Sequence, residues 1–326
     1  MLGSVANFSN RWLVLIALVG FSVATGYVLT HGSRAGAPMN DCSRSAIDVP
    51  SCGVLWGAYV PSYGLTTLES QVGRKFDIFQ EYHDFSTTNS GAIPNPSDQT
   101  LINGGRILLA SWQNRIYSSD AVDSWANIAA GDYDSTTIIP QAQRIKALGS
   151  TKIFLAFAPE MNDTTTHPVA TYGTPSDFVA AYRHIHDVFA AQGVTNVVWV
   201  WTPTGSSSSL ATEAPFYPGD GYVDWIGYDP YNFYQCFGDT TWKSAYATFS
   251  RFYNWVETGG LDAGAESKPF IMDEYGSHDD ASDPITDDPN WYAQIPAALT
   301  QLPKLKALSE FDAGGDTPSG VCSSAL

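Results

Sequence analysis

Eight times between Val54 and Phe311 a short apolar run ends in a turn and gives way to a loop or an amphipathic stretch. A chain with that alternation has few ways to bury its apolar runs. Each run must pack as a parallel strand, either in a closed (β/α)₈ TIM barrel or in an open doubly wound sheet. The runs are Val54–Tyr59, Phe76–Tyr82, Arg106–Ser111, Ile153–Phe157, Val197–Trp201, Val223–Tyr228, Pro269–Asp273 and Leu308–Phe311. Between them, Leu65–Val72, Ala121–Ala130, Ser135–Leu148, Trp242–Thr258 and Trp291–Leu302 read as helices, with a bend expected at Pro140. A further helix is announced by Thr174, with Pro175 and Asp177 behind it. Phe178, Tyr182, Ile185 and Phe189 follow on one face, and Gly193 ends it. Eight strands favour the barrel as a single-domain α/β fold, and no glycine-rich phosphate loop follows the first strand to suggest a nucleotide site. The chain stops fifteen residues after Phe311, which reads as a truncated final helix.

Residues 12–30 are almost wholly apolar or small, preceded by Arg11. That length suits a signal peptide, with Ser22-Val23-Ala24 as a cleavage site, or an uncleaved N-terminal membrane anchor. Residues 1–37 are therefore expected to be a signal or anchor with its linker and 38–326 the barrel domain, secreted or held at the extracellular surface. The formal net charge is −17, and residues 1–37 carry Arg11 and Arg34 with no acid, so the remainder is two charges more negative. Such acidity disfavours nucleic acid and anionic lipid as partners, leaves the membrane only through the anchor, and suits a neutral substrate. The chain reads as a monomer, without a metal or cofactor. Cys42, Cys52, Cys236 and Cys322 lack CxxC spacing, so two disulfides are expected rather than a zinc site. In a barrel Cys42 and Cys52 precede strand one while Cys236 and Cys322 follow strands six and eight, which suggests pairing within each face. Asp279, Asp280, Asp283, Asp287 and Asp288 read as a solvated loop, His184 and His186 as packing residues, and Asn162-Asp163-Thr164 as a chance glycosylation pattern.

Barrels place their chemistry at the carboxyl ends of the strands. Those positions hold Tyr59, His83, Trp112, Glu160 with Asn162, Trp201, Tyr231 and Glu274. Aromatic rings, hydrogen-bonding groups and two acids describe a sugar cleft better than a metal or phosphate site. Glu160 ends KIFLAFAPE, with Met161 and Asn162 behind it, and Glu274 ends KPFIMDE, so strands four and seven present two carboxyls across one mouth. Cleavage of a glycosidic bond takes one protonated acid at the leaving oxygen and one carboxylate at the anomeric carbon. At about 5–5.5 Å separation the carboxylate attacks directly and configuration is retained. Two such acids cannot both ionise easily, and the less stabilised one keeps its proton. The spacing does not say which acid takes which role.

Seven stretches in order, GVLWGAYVP, GRKFDIFQEYHDF, GGRILLASW, FAPEMN, FVAAYRHIHDVFAAQGVTNVVWVWTP, FYPGDGYVDWIGYDPYN and KPFIMDEYGS, resemble glycoside hydrolase family 26, the β-mannanase family. The resemblance covers Cys52 to the C-terminus. It implies that Glu160 is the general acid/base, Glu274 the nucleophile and Tyr231 the residue that orients it. It also implies sugar contacts at Tyr59, His83, Trp112, Asn162 and Trp201. Three positions depart from the family pattern: Pro159 stands where a histidine usually precedes the acid, Asp163–His167 contains no tryptophan, and FDAGGDTPSGV lacks Asp-Trp-Arg. The expected activity is an exported retaining endo-glycosidase cleaving β-1,4-mannan. The alternatives are the same chemistry on xylan, mixed-linkage glucan or an exopolysaccharide, or a catalytically lapsed carbohydrate-binding surface protein.

Overall fold

The computed structural model describes residues 42–61, 64–206, 208–234, 239–277 and 288–312. The segment 12–30, Cys236, Cys322, the run Asp279–Asp287 and the last fourteen residues lie outside them. Among the described residues no helix is long and apolar enough to cross a membrane.

Eight parallel strands close into a barrel: β1 (Leu55–Tyr59), β2 (Ile78–His83), β3 (Ile107–Trp112), β4 (Ile153–Phe157), β5 (Val197–Trp201), β6 (Trp225–Tyr228), β7 (Phe270–Met272) and β8 (Leu305–Phe311). β8 pairs with β1 from Leu55↔Ala307 to Tyr59↔Phe311 and so closes the ring. The open doubly wound alternative is thereby excluded.

Alternation along each strand sorts side chains between two cores. Ile78, Leu109, Phe154, Val198, Val200, Ile271 and Ala307 fill the barrel interior. Phe79, Leu108, Leu155, Trp199, Tyr228 and Leu308 face the surrounding helices. Near the carboxyl ends the interior turns polar. Ser309 on β8 donates to Gln80 Oε1 at 2.8 Å, and Gln80 on β2 donates to Ser111 Oγ on β3 at 3.1 Å. These three polar residues interrupt apolar runs and find one another inside the barrel, as burial requires.

Helices α1 (Leu65–Val72), α2 (Pro96–Asn103), α3 (Ile139–Lys146), α4 (Pro175–Ala191), α5 (Ala245–Glu257) and α6 (Ile295–Leu299) lie on the longer connections. Thr174 caps α4 reciprocally with Asp177, and Tyr182 from that helix donates to the Val200 carbonyl of β5 at 3.1 Å. One expected helix is shorter than its pattern and a second is irregular at its start. Ala121-Val122 pairs with Arg115-Ile116 as an antiparallel ribbon, leaving helix only at Trp125–Ala129. The expected helix over residues 135–148 is continuous but irregular: a π-helical turn over Asp134–Ile138 runs directly into α3, and the change of winding falls beside Pro140, which has no N–H to give. Among its described residues, the β5–β6 connection carries short 3₁₀ turns and no α-helix.

At the amino end of the barrel, Cys42 and Cys52 have Cα atoms 5.5 Å apart, within disulfide reach. The loop between them presses Ile47 and Val49 against the interior core, and the Trp225 indole donates to the Ile47 carbonyl at 2.7 Å.

Candidate active site

The carboxyl end of the barrel opens into a cavity of about 460 Å³ lined by Glu160 and Glu274 together with Tyr59, Tyr82, His167 and Phe311. Glu160 directly follows a fully buried run that extends from Ile153 through Pro159. Its N–H donates to the Thr202 carbonyl at 2.7 Å, and Ala158 N–H donates to the Trp112 carbonyl at 2.9 Å. The turn after β4 is thus tied to the strands on both sides.

Glu274 is delivered by a different device. Beyond β6 and β7, Tyr231-Asn232 and Gly276-Ser277 pair as a short parallel ribbon that carries the ladder past the barrel rim. On it, the Tyr231 hydroxyl donates to Glu274 Oε2 at 2.7 Å, and the Tyr82 hydroxyl donates to Oε1. The Glu274 N–H donates to Asp229 Oδ1 at 3.0 Å. Beneath the pair, Thr202 Oγ1 donates to Asp273 Oδ2 at 2.7 Å. Thr202 therefore holds the backbone of one acid and the carboxyl next to the other.

The electrostatics separate the two acids. Burial, then the charge of Glu274, then that of Asp163, push Glu160 up to about 8. Burial also raises Glu274, but the Tyr82 and Tyr231 hydroxyls oppose it by stabilising the anion. Burial lifts the neighbouring Asp273 to about 8 and Asp229 well above the usual carboxylate range. With two phenols donating to Glu274 and several carboxyls crowded together, the one favoured as an anion is Glu274, and the proton stays on Glu160.

The structure brings Tyr59 and Tyr231 to this site and buries three other sequence-predicted contacts away from it. Tyr59 has interior parity on β1, stacks on Phe311 with centroids 5.1 Å apart and meets Tyr82 edge-on at 4.7 Å. His83, Trp112 and Trp201 have the opposite parity. Their side chains point into the helical layer and are buried, with exposures of 1%, 0% and 0%. His83 lies 3.4 Å from Asp98 on α2, and Trp112 donates to the Asp84 carbonyl at 3.2 Å. The expectation of sugar contact at these three is corrected, because being last in a strand does not decide which face a side chain takes. Asn162, half-buried, exchanges hydrogen bonds of 2.9 Å with Thr204, bracing the β4 and β5 loops. Of the expected cysteine pairs, Cys42–Cys52 has the proximity, and Cys236–Cys322 lies outside the described residues. Among the described residues no cluster of metal-ligating side chains is present.

The sequence reading missed Tyr82, Glu81 and His167. Tyr82 was legible: Ile78, Gln80 and Tyr82 share one parity, and a glutamine inside an apolar run marks it as the interior face. Glu81 lines the cavity and is pushed by burial, then by Asp98, to about 7. His167 comes from an irregular turn with no periodicity to place it.

The sequence model of glycosyl hydrolase family 26 matches residues 117–297. Endoglucanase H of Acetivibrio thermocellus is 31% identical over 230 residues, covering 68% of this chain and 24% of that protein. A mannan endo-1,4-beta-mannosidase of Bifidobacterium adolescentis is 32% identical over 143 residues, covering 38% of this chain and 14% of that one. The chain thus spans a quarter or less of the length of these curated relatives. Among solved structures, the catalytic domain of an endo-beta-1,4-mannanase from Bacillus sp. JAMB-750 shares the fold, with a TM-score of 0.58 and 17% identity over 81% of this chain and 78% of that one.

Proposed function

The chain belongs to glycosyl hydrolase family 26, and from that premise we propose that it is an exported, retaining endo-glycosidase acting on a neutral β-glycan. The observation that carries the reading is the asymmetric pair of acids: Glu274 accepts from Tyr82 and Tyr231, and Glu160 has nothing comparable to stabilise its anion. In the first step Glu160 gives its proton to the glycosidic oxygen as that bond breaks, and a Glu274 oxygen bonds to the anomeric carbon. In the second, Glu160, now ionised, takes a proton from water as the water oxygen displaces Glu274, restoring the original configuration. The intact clamp on Glu274 argues against a lapsed site.

β-1,4-Mannan is the leading substrate, in keeping with the mannosidase relative. A β-glucan is the second reading, favoured by the endoglucanase match, which covers 68% of the chain against 38%. Secretion or surface anchoring is supported by the apolar segment 12–30 and by a bridge between Cys42 and Cys52, which persists in oxidising compartments.

The test is product analysis on mannan, glucan and xylan with anomeric configuration followed by NMR, beside two variants. Glu274→Ala and Glu160→Ala are each expected to reduce turnover by about 10²–10⁴-fold while remaining folded. Azide should rescue Glu160→Ala to a glycosyl azide of retained configuration, and Glu274→Ala to an inverted one. Full activity in Glu274→Ala ends this reading.

A further inference from the structure

The antiparallel ribbon after β3 takes no part in the chemistry of Glu160 and Glu274, yet it forms a wall of the same cavity. Its strands, Arg115-Ile116 and Ala121-Val122, are two residues each. A hairpin that short does not hold itself together in water. Here it is pinned from outside. Phe85 N–H donates to the Arg115 carbonyl at 3.0 Å, and Tyr117 N–H donates to Asp84 Oδ2 at 3.1 Å. Asp84 is buried, and its other oxygen accepts from Ser86 N–H at 3.1 Å. At the base, Asn114 Nδ2 donates to the Asp123 carbonyl at 2.7 Å, and Asp123 N–H donates to the Asn114 carbonyl at 3.0 Å.

What this pinned backbone presents is a ring and a cation. Arg115 and Tyr117 both line the cavity, and the β4–α4 connection adds Tyr172 to the lining. Tyr117, 41% exposed, is one of three large hydrophobic side chains left exposed among the described residues. Tyr172 is buried, its ring held by Trp125 at 5.7 Å and by His167 at 4.6 Å. Arg115 is the one cationic arginine or lysine lining the cavity among the described residues. Its Nε donates to Asp120 Oδ1 at 3.1 Å, and its Nη2 donates to the same oxygen. Asp120 has φ of +60°, a turn that aspartate tolerates, and this closes the loop with its carboxylate on Arg115. Because both bonds fall on one oxygen, Asp120 Oδ2 and Arg115 Nη1 stay free among the described residues as an acceptor and a donor.

We propose that Tyr117, Arg115 and Asp120 form a subsite for a neutral pyranose unit of the glycan away from the bond being cut, an inference that rests on the reading of this cavity as a β-glycan site. The exposed face of Tyr117 offers an apolar surface to the C–H face of a sugar ring. Each sugar hydroxyl both donates and accepts, so a donor beside an acceptor suits a pair of neighbouring hydroxyls. Asp120 cancels the charge of Arg115, which makes the subsite one for an uncharged sugar rather than a uronic acid. Among the described residues no hydrogen bond joins the ribbon to Glu160 or Glu274, so it adds binding without gripping the reacting carboxyls. Binding energy gathered at such a remote unit can be spent at the reacting one.

The experiment compares Tyr117→Ala, Tyr117→Phe and Arg115→Ala on mannohexaose, cellohexaose and xylohexaose, and on a dinitrophenyl monoglycoside of the sugar that is cleaved. The monoglycoside is too short to occupy a second subsite. On the hexasaccharide that wild type cleaves, Tyr117→Ala and Arg115→Ala should each lower kcat/KM by about 3- to 10-fold. The loss on the monoglycoside should be several times smaller, and Tyr117→Phe, which keeps the ring, should stay near wild type on the hexasaccharide. Adding Tyr117→Ala to the Glu274→Ala protein should weaken its calorimetric affinity for the same hexasaccharide by a similar factor. Equal losses on the long and short substrates, undiminished hexasaccharide cleavage in Tyr117→Ala and Arg115→Ala, or Tyr117→Phe as impaired as Tyr117→Ala overturns the proposal. A wild-type protein that cleaves none of the three hexasaccharides defeats the underlying reading and this proposal with it. Wild-type cleavage that Glu274→Ala abolishes and the Tyr117 and Arg115 variants leave intact defeats the proposal alone.

Discussion

Tyr231 donates its hydroxyl hydrogen to Glu274 Oε2 at 2.7 Å while Tyr82 donates to the opposite oxygen, so the carboxyl is gripped from β2 and from the ribbon beyond β6 at once. In the proposed double displacement, when one oxygen bonds to the anomeric carbon, the phenol on the other still holds the group in plane. Gln80 Nε2 lies 3.3 Å from the Tyr82 hydroxyl, and the Ser309–Gln80–Ser111 layer thereby connects the grip to β8 and β3. The Glu274 carboxyl is oriented by the barrel interior itself.

From this grip follows the outcome of removing either hydroxyl. Each phenol stabilises the anion of Glu274, so Tyr82→Phe or Tyr231→Phe should raise the pH at which Glu274 ionises. A hydrogen bond to a charged group is worth about 1.5–3 kcal/mol, which corresponds to about one to two pH units. The acid limb of kcat/KM should move up by that amount in each variant, with a further loss at the optimum from looser orientation. An unchanged acid limb in both variants would show that the phenols do not set the charge of Glu274.

The buried carboxyls also predict how stability responds to pH. Glu160 and Asp273 are pushed to about 8, and Glu81 and Glu310 to about 7, chiefly by burial. Unfolded, these groups ionise near 4.5 for glutamate and 3.8 for aspartate. Between pH 6.5 and 8 the native state therefore holds more protons than the unfolded chain, and stability must fall as pH rises. His83 and His167, pushed down by burial to about 4 from 6.5, take up protons only in the unfolded chain near pH 6.5, so they oppose the trend at the lower end of the interval, fade by pH 8 and are outnumbered by the four acids throughout. The unfolding midpoint in urea should decline from pH 6.5 to 8, and Asp273→Asn, which cannot ionise, should flatten part of the decline. A midpoint that rises over that interval contradicts the assignment of these groups.

How much of this was legible depended on whether period-two patterning reached the residue. The barrel was readable because eight apolar runs demanded burial on both faces, and Ile153–Phe157 is indeed fully buried. Glu160 and Glu274 were readable because acids at the ends of such runs are costly unless used. His83, Trp112 and Trp201 were misplaced because strand position was weighed without parity. Leu109 and Ser111 point inward, so Trp112, one residue on, must point out. The signal that corrects Trp112 is the same one that reveals Tyr82. Asn162 and His167 lie in an irregular turn whose course is set by main-chain bonds to Thr202 and Asp163, and no side-chain pattern encodes that course.

Gly227 supplies the sharpest test of how the floor of the site is built. It lies on β6 between Ile226 and Tyr228, and a Cβ there would fall 2.3 Å from Thr202 Oγ1, 2.6 Å from Asp273 Oδ1 and 3.0 Å from Val200 Cγ1. None of these atoms is the free end of a flexible chain. Thr202 and Asp273 are bonded to each other, Val200 is in the interior core, and all three are buried. Gly227→Ala must therefore part Thr202 from Asp273 or shift β6 against its neighbours. Overpacking of this kind costs about 1–3 kcal/mol. The disturbance should also reach catalysis, since the Thr202 carbonyl holds the Glu160 N–H and Asp273 is the residue before Glu274. The expected result is a lower unfolding midpoint with reduced kcat at a pH where wild type is fully active. Gly221→Ala, where a Cβ would meet nothing within 4 Å, serves as the matched control and should leave kcat unchanged. Equal behaviour of the two variants would mean that the space beside Gly227 is not what seats Thr202 against Asp273.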